Sequence, residues 1–284
     1  MSGPQVAFLP DGDRLHLQHG PIDLIVKAFG PGKEVNESYL QLERRFRSVL
    51  AELVSELNEL QKPVTENPLE PEGLVARRMM EAVIPHRGDF VTPMAAVAGA
   101  VADELIASMV EGHDLEKAYI NNSGDLAIYL SPGESLRLGI VSNLLMPKLI
   151  GGASLVFEQP VRGIATSGWR GRSWSFGIAD SVTVLASNSA AADVAATLIG
   201  NAVYADDAEI KSVPASEVDD NTDLGDRLVT VDVGRLKVET VKRALSSGAN
   251  KAGEMLQAGL IFGAVLVLKE EVMLIGDVPA LMSK

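Results

Sequence analysis

The sequence predicts an α+β fold, antiparallel sheets packed with helices in one unit spanning residues 1–284. Predicted strands and helices come in clusters rather than in strict alternation, and the apolar positions switch between strand and helix periods. Gly and Ala are abundant while aromatic residues make up only 5% of the chain, which predicts close backbone packing rather than a core of large rings. With 46% hydrophobic and 22% charged residues, the composition is that of a globular protein and excludes disorder, collagen-like repeats and coiled coil.

The first 30 residues read as a β-meander. Val6 to Leu9 precedes the Pro10-Asp11-Gly12 turn, Arg14 to Gln18 alternates with period two, and Ile22 to Val26 follows the Gly20-Pro21 break. A long helix is expected over 36–62, capped by Asn36 or Ser38. Leu40, Phe46, Leu50, Leu53, Leu57 and Leu60 supply its apolar stripe, and Pro63 ends it. After an exposed connection, helices are expected from Leu74 to Ile84 and from Pro93 to Val110, the second dense in Ala with Gly99 in its interior, where it would let another chain segment or a ligand approach closely and so joins the ligand-binding candidates. Strands follow at 117–120, 127–130, 136–141, 153–157, 161–165 and 182–185. A small-residue helix then runs from Ser189 to Val203, leading into an acidic loop from Glu217 to Asp226. A strand at 228–233, a helix from Val238 to Gln257 stopped by Gly259, and a hairpin built from 260–268 and 272–275 complete the chain.

A formal net charge of −13 repels phosphate backbones, so no nucleic-acid partner is expected. The absence of cysteine excludes disulfides, thiolate metal sites and a thiol nucleophile. Met1 to Gln5 lacks the basic-then-apolar pattern of a signal peptide, and no apolar run is expected to reach the roughly 18 residues of a membrane helix. The chain is therefore read as cytoplasmic, without a membrane partner; a homo-oligomer is compatible with it. Gly30-Pro31-Gly32-Lys33 fails as a phosphate loop, because Lys27 and Glu34 stand where Gly and Ser/Thr are needed. His16 and His19, three apart on a strand, point to opposite faces and make poor joint metal ligands.

Three segments carry candidate chemistry. Asn121-Asn122-Ser123-Gly124-Asp125 is a tight turn between strands. Its plain reading is a hairpin; its functional one sets Asn121, Asn122, Gly124 and Asp125 against a ligand. Arg162 to Arg172 takes a strand into a Gly-rich loop with Thr166, Ser167, Gly168 and three arginines, Arg162, Arg170 and Arg172. These are the parts of a phosphate cradle, or of a solvated loop. Asp193 and Thr197 share one helix face, which suits a hard cation such as Mg2+ or, more plainly, local helix bonding.

In this order the segments resemble the ApbE-like superfamily of FAD:protein FMN transferases. That family carries an Asn-x-Gly-Gly-Asp turn, a Thr-Ser-Gly segment followed by Arg, a Val-rich strand and an Ala-Asp-x-x-x-Thr helix. Here these correspond to Asn121–Asp125, Thr166–Gly168, Ser181–Val184 and Ala192-Asp193 through Thr197. Gly99 and Asp103 match the last positions of its Lys-Gly-x-x-x-Asp helix, and the likeness covers 74–205. The resemblance implies a nucleotide-like small-molecule ligand, FAD or FMN, in a site lined by the turn and the Thr-Ser-Gly strand. It also implies Mg2+ on Asp193 and Thr197, and a Mg-dependent transferase. The chain departs from the pattern at Ala98, where the family has Lys, and at Ser123, where it has Gly. The family's His-x-x-Asp-Pro-Arg-Thr-Gly segment is missing, and Ser175 to Asp180 runs straight into the next strand, which adds Asp180 to the ligand-binding candidates. A short cytoplasmic branch of the superfamily fits these departures. No catalytic residue is assigned. Two other readings stay open: an enzyme binding a pterin-like heterocycle without metal, and a non-catalytic partner or assembly protein.

Overall fold

The computed structural model describes residues 3–68, 70–141, 149–276 and 278. In chain order the elements are β1 (Gln5–Phe8), β2 (Leu15–His19), β3 (Ile22–Phe29), α1 (Gly32–Leu60), α2 (Leu74–Val83), α3 (Val97–Val110), β4 (Lys117–Asn122), β5 (Asp125–Leu130), β6 (Ser135–Val141), β7 (Leu149–Val156), β8 (Gly163–Ser167), β9 (Ser181–Ala186), α4 (Ser189–Ala202), β10 (Ile210–Pro214), α5 (Ala215–Val218), β11 (Leu228–Val233), α6 (Val238–Gln257), β12 (Gly263–Leu268) and β13 (Glu271–Gly276). Every ladder whose register is described is antiparallel, as an α+β fold requires. By contacts the chain divides into two units. The first comprises 1–136, 155–164 and 187–193, and the second 137–154, 165–186 and 194–284.

In the first unit β1 to β5 form an up-and-down sheet, and the start of β8 joins it through Leu126↔Ile164 and Ala127↔Gly163. β3 alternates strictly between buried and more exposed residues, with Ile22, Leu24, Val26 and Ala28 turned inward. Against that face pack α1 and α3. Leu42, Phe46 and Val49 of α1, and Ala100, Val101, Leu105 and Met109 of α3, are all buried, and α2 adds Val75, Met79 and Val83. Glu104 of α3 joins the three helices. Its carboxylate accepts Arg45 Nε of α1 at 2.9 Å and Arg78 Nε of α2 at 3.0 Å, while Arg45 also forks onto Glu52.

Several sequence expectations need correction. α1 starts at Gly32 with Pro31 before it, so neither Asn36 nor Ser38 caps it. Proline's fixed φ and absent N–H suit the entry to a helix, and Ser38 instead donates to the Val35 carbonyl inside the first turns. Leu40 is exposed at 58%, and Tyr39 and Leu42 take its place in the stripe. The run Pro93–Val110 does reach 18 residues, with a mean hydropathy of 1.4, long and apolar enough to span a membrane by length and composition alone. Most of it, 61%, is buried within the protein, as in a core helix.

In the second unit β9, β12 and β13 form a sheet. β9 and β12 are buried at every residue, which explains the unbroken apolar run of β12; β9 sets Ser181 and Thr183 among its apolar residues. α6 covers β12 and β13. β10 and β11 make a separate hairpin, and β10 carries no strand signal strong enough to be predicted.

Candidate functional site

α4 begins where three other segments crowd in. A Cβ on Gly99 would stand 2.5 Å from the Ser189 carbonyl carbon and 2.7 Å from the Ala190 nitrogen, and a Cβ on Gly163 would collide with the Asn188 carbonyl. Glycine at both positions is what lets α3 and β8 flank the Asn188-Ser189 backbone.

The approach serves a reciprocal exchange of hydrogen bonds. The first N–H groups of a helix have no partner within it and carry its partial positive charge. Asp103 of α3 accepts those of α4, from Ser189 at 2.9 Å and Ala190 at 2.8 Å, and Asn188 Oδ1 accepts that of Ala191 at 2.8 Å. Asp193 of α4 accepts those of α3, from Gly99 at 3.0 Å and from Ala98. Each helix start is thus closed by a carboxylate of the other.

Two acidic groups so placed resist ionisation together. Burial pushes Asp103 up to about 6, against the lowering effect of its N–H donors and of Arg78. Burial also pushes Asp193 up to about 7, and the neighbouring Asp103 charge adds to the rise, while its two N–H donors oppose it. The repulsion belongs to the pair, so the two carboxyls titrate as one coupled system. Among the described residues neither forms an ion pair with Lys or Arg. Asp193 is half-buried as a residue. Thr197 follows one turn later on α4. A carboxylate oxygen and a hydroxyl one turn apart are hard oxygen donors of the kind Mg2+ takes, and a cation there would neutralise the charge that burial penalises.

The turn is tied to the same place. Ser123 and Gly124 form a two-residue hairpin loop with φ of 56° and 120°, and Asn122 pairs with Asp125 across it. Asn121 Oδ1 accepts the Gly124 N–H at 2.9 Å, and Asn122 Nδ2 donates to the Ala98 carbonyl at 2.9 Å. Asn122, Gly99 and Asp193 are therefore brought together through the first turn of α3. Asp125 is buried. Arg162 is committed to its own loop: its guanidinium donates to the carbonyls of Gln159, Val161 and Phe157 at 2.6–2.7 Å.

The remaining candidates lie in the second unit. Thr166 and Ser167 sit on β8, with the Thr166 hydroxyl sharing a 2.9 Å hydrogen bond with that of Thr183. A Cβ on Gly168 would lie 2.5 Å from the Asp180 carbonyl oxygen, and Trp169 Nε1 donates to Asp180 Oδ1 at 3.3 Å. The other oxygen of Asp180 accepts the Lys269 N–H at 2.5 Å, so this carboxylate ties the loop to the β12–β13 turn. Arg170 stacks on Trp169 at 4.7 Å, and Arg170 and Arg172 are both exposed.

Sequence reasoning assigned no site role to Asp103, Asn188 or Gly163. Asn188-Ser189 ahead of an Ala-rich run is a helix-start signature through which Asn188 could have been found. Nothing local marks Asp103 as the acceptor for a helix 86 residues further on.

A family model described as AbpE bacteria matches residues 6–274. The chain belongs to this family. A UPF0280 protein of Methanothrix thermoacetophila is 41% identical over 121 residues, 41% of this chain and 48% of that one. Another, of Methanothermobacter thermautotrophicus, is 35% identical over 186 residues, 59% of this chain and 67% of that one. The chain spans about half the length of the first two curated relatives it matches, at 48% and 54%. Among solved structures, the flavinyl transferase ApbE of Pseudomonas stutzeri, in its apo form, matches with a TM-score of 0.51 and 13% identity, over 99% of this chain and 98% of that one. A variant of the flavin transferase ApbE from Vibrio cholerae matches with a TM-score of 0.50 and 11% identity, over 95% of this chain and 100% of that one. At such identities the likeness is one of fold, and that fold is the one the ApbE resemblance predicted.

Proposed function

We propose that this member of the family binds a flavin nucleotide, FAD or FMN, together with Mg2+, and that it is a magnesium-dependent flavin-related transferase. The observation that carries the reading is the Asp103–Asp193 pair: two carboxyls forced together at the starts of α3 and α4, short of positive charge, with Thr197 one turn beyond Asp193. The folds of the flavin transferases that the chain matches support the same reading. Mg2+ bound there would supply charge neutralisation at a phosphate of the nucleotide.

The chain's own residues would do the following. Asp193 and Thr197 would hold the metal, and Asp103 would keep the α4 N-terminus in place so that Asp193 faces it. Asn122, anchored on the Ala98 carbonyl, and the Gly124–Asp125 end of the hairpin would present amide, backbone and carboxylate groups to the ligand. In the second unit, Thr166, Ser167 and Gly168, with the exposed Arg170 and Arg172, would be the candidates for contact with a phosphorylated ligand. Ala98, where the resemblance calls for Lys, removes a cation from this list, so the metal would carry more of the charge balance.

Calorimetric titration of the protein with FAD, with and without Mg2+ and beside Asp193→Ala, tests the reading. Binding that requires Mg2+ and is lost in the variant is the expected result. Binding indifferent to both would select the metal-free heterocycle reading, and no binding in any condition would remove the flavin reading altogether.

A further inference from the structure

A second group of ligating side chains lies at the start of α1, in the first unit. Glu34 and Glu37 stand three apart on α1 and so share a face. His113 reaches them from the segment between α3 and β4, and one donor atom from each of the three lies within 4.8 Å of the others. His113 Nδ1 is 3.3 Å from Glu34 Oε2. That separation suits two donors bound tetrahedrally at about 2.0–2.1 Å from one Zn2+. An imidazole nitrogen with two carboxylates is a donor set for a borderline cation, whereas Mg2+ and Ca2+ prefer oxygen alone.

The group is held from both sides. Gln41 of α1 donates through Nε2 to the carbonyls of Ser108 at 2.6 Å and Glu111 at 2.9 Å, pinning the end of α3 to α1. The His113 N–H bonds to Val110 O, the His113 carbonyl accepts from Leu115, and the Asp114 N–H reaches Glu34 Oε2 at 3.4 Å. The His113 side chain is 12% exposed and that of Glu37 48%, so the site has a buried wall and a side open to water ligands. Its one competitor among the described ion pairs is Lys33, 3.8 Å from Glu37 and 80% exposed, and a surface pair of that kind is worth little.

We propose that Glu34, Glu37 and His113 form a binding site for a zinc-class divalent cation, with water completing its shell, and that the bound metal clips the start of α1 to the α3–β4 segment. This site does not depend on the α4 carboxylates. The test uses the full chain, stripped with chelator and then supplied with excess Mg2+ to fill oxygen-only sites. Co2+ is added as a visible probe, and Zn2+ in thermal unfolding. One equivalent of Co2+ should give a ligand-field band, and Zn2+ should raise Tm as binding to the folded state alone requires. Glu37→Gln changes a half-exposed side chain and leaves the fold intact. It should weaken Co2+ binding at least as much as the roughly 10–100-fold that loss of an outer-shell partner costs elsewhere, and His113→Asn should abolish the band. No band in the parent, or a band unchanged in both variants, overturns the proposal. So does a band that survives both changes and disappears in Asp193→Ala, which would put the metal on α4.

Discussion

Replacing Gly99 by Ala tests the crossing of α3 and α4 most directly, because two effects of opposite sign compete there. In an unconstrained helix the change would stabilise by about 1 kcal/mol. Here the new methyl would meet the Ser189 carbonyl carbon at 2.5 Å and the Ala190 nitrogen at 2.7 Å, where ordinary contact begins at 3.4 Å, and both are backbone atoms that cannot rotate away. α4 would have to retreat by close to 1 Å. Overpacking of this kind costs roughly 1–3 kcal/mol. The same retreat stretches the N–H bonds of Ser189, Ala190 and Gly99 to the two carboxylates, each worth about 1.5–3 kcal/mol when the acceptor is charged. Even partial loss of these outweighs the helix gain and leaves a net destabilisation of about 3 kcal/mol, or a fall in Tm of about 6–12 °C for a protein of this size. The assay is thermal unfolding by circular dichroism in chelator, with Gly253→Ala of α6 as the control. A Cβ there meets nothing within 4 Å, so that variant should match or exceed the parent. A Gly99→Ala protein melting within about 2 °C of the parent would refute the argument that this close approach is structurally required.

Three further outcomes are expected. Asp103 and Asp193 have raised folded-state pKa values, so the folded protein binds more protons than the unfolded chain between about pH 4 and 7. Their joint contribution to stability is fully present below about pH 4 and is lost as pH rises through about 6 and 7, on the order of several kcal/mol for the pair. Urea unfolding in chelator from about pH 4 to 8 should show the parent losing more stability than Asp193→Asn, which lacks one of the two titrating carboxyls. Ser123 holds a φ of 56°, which a β-branched side chain tolerates poorly. Ser123→Val should therefore cost about 1–3 kcal/mol by denaturant unfolding, whereas Ser123→Gly should stay close to the parent. Glu104 is 8% exposed and serves both Arg45 and Arg78. Glu104→Ala should cost about 1.5–3 kcal/mol by the same measurement, because Arg78 loses this partner and Arg45 is left with Glu52; a change below about 1 kcal/mol would show that water replaces it.

What the sequence revealed was what is local. The Asn121–Asp125 hairpin was readable because two-residue loops demand positive φ and short polar residues, and the structure builds that loop from Ser123 and Gly124. The body of α1 was readable from Phe46, Leu50 and Leu53, while its start was misplaced because Asn36 and Ser38 are residue types that cap helices, whereas the helix begins after Pro31. Arg162 looked like part of a phosphate fork, since composition cannot tell a guanidinium that meets a ligand from one that ties three carbonyls of its own loop. No linker marks the two units because their boundaries fall inside β6, β7, β8 and α4 and at the end of β9, where the chain builds regular elements rather than a Gly-, Pro- or Ser-rich connection.

The exchange of carboxylates between α3 and α4 also has a meaning in time. During synthesis α3 is complete long before Asp193, 94 residues beyond Gly99, exists to receive its first amides. Asp103 meanwhile has no helix to close. Each helix start therefore remains dependent on water until its counterpart arrives, and each gains its partner in the same docking event. Contacts so distant in sequence tend to form late in folding. Substitutions at this crossing should accordingly act mainly on how fast the native protein opens rather than on how fast it folds. A ligand or cation that secures Asp193 would then act as a latch on the lifetime of the folded state.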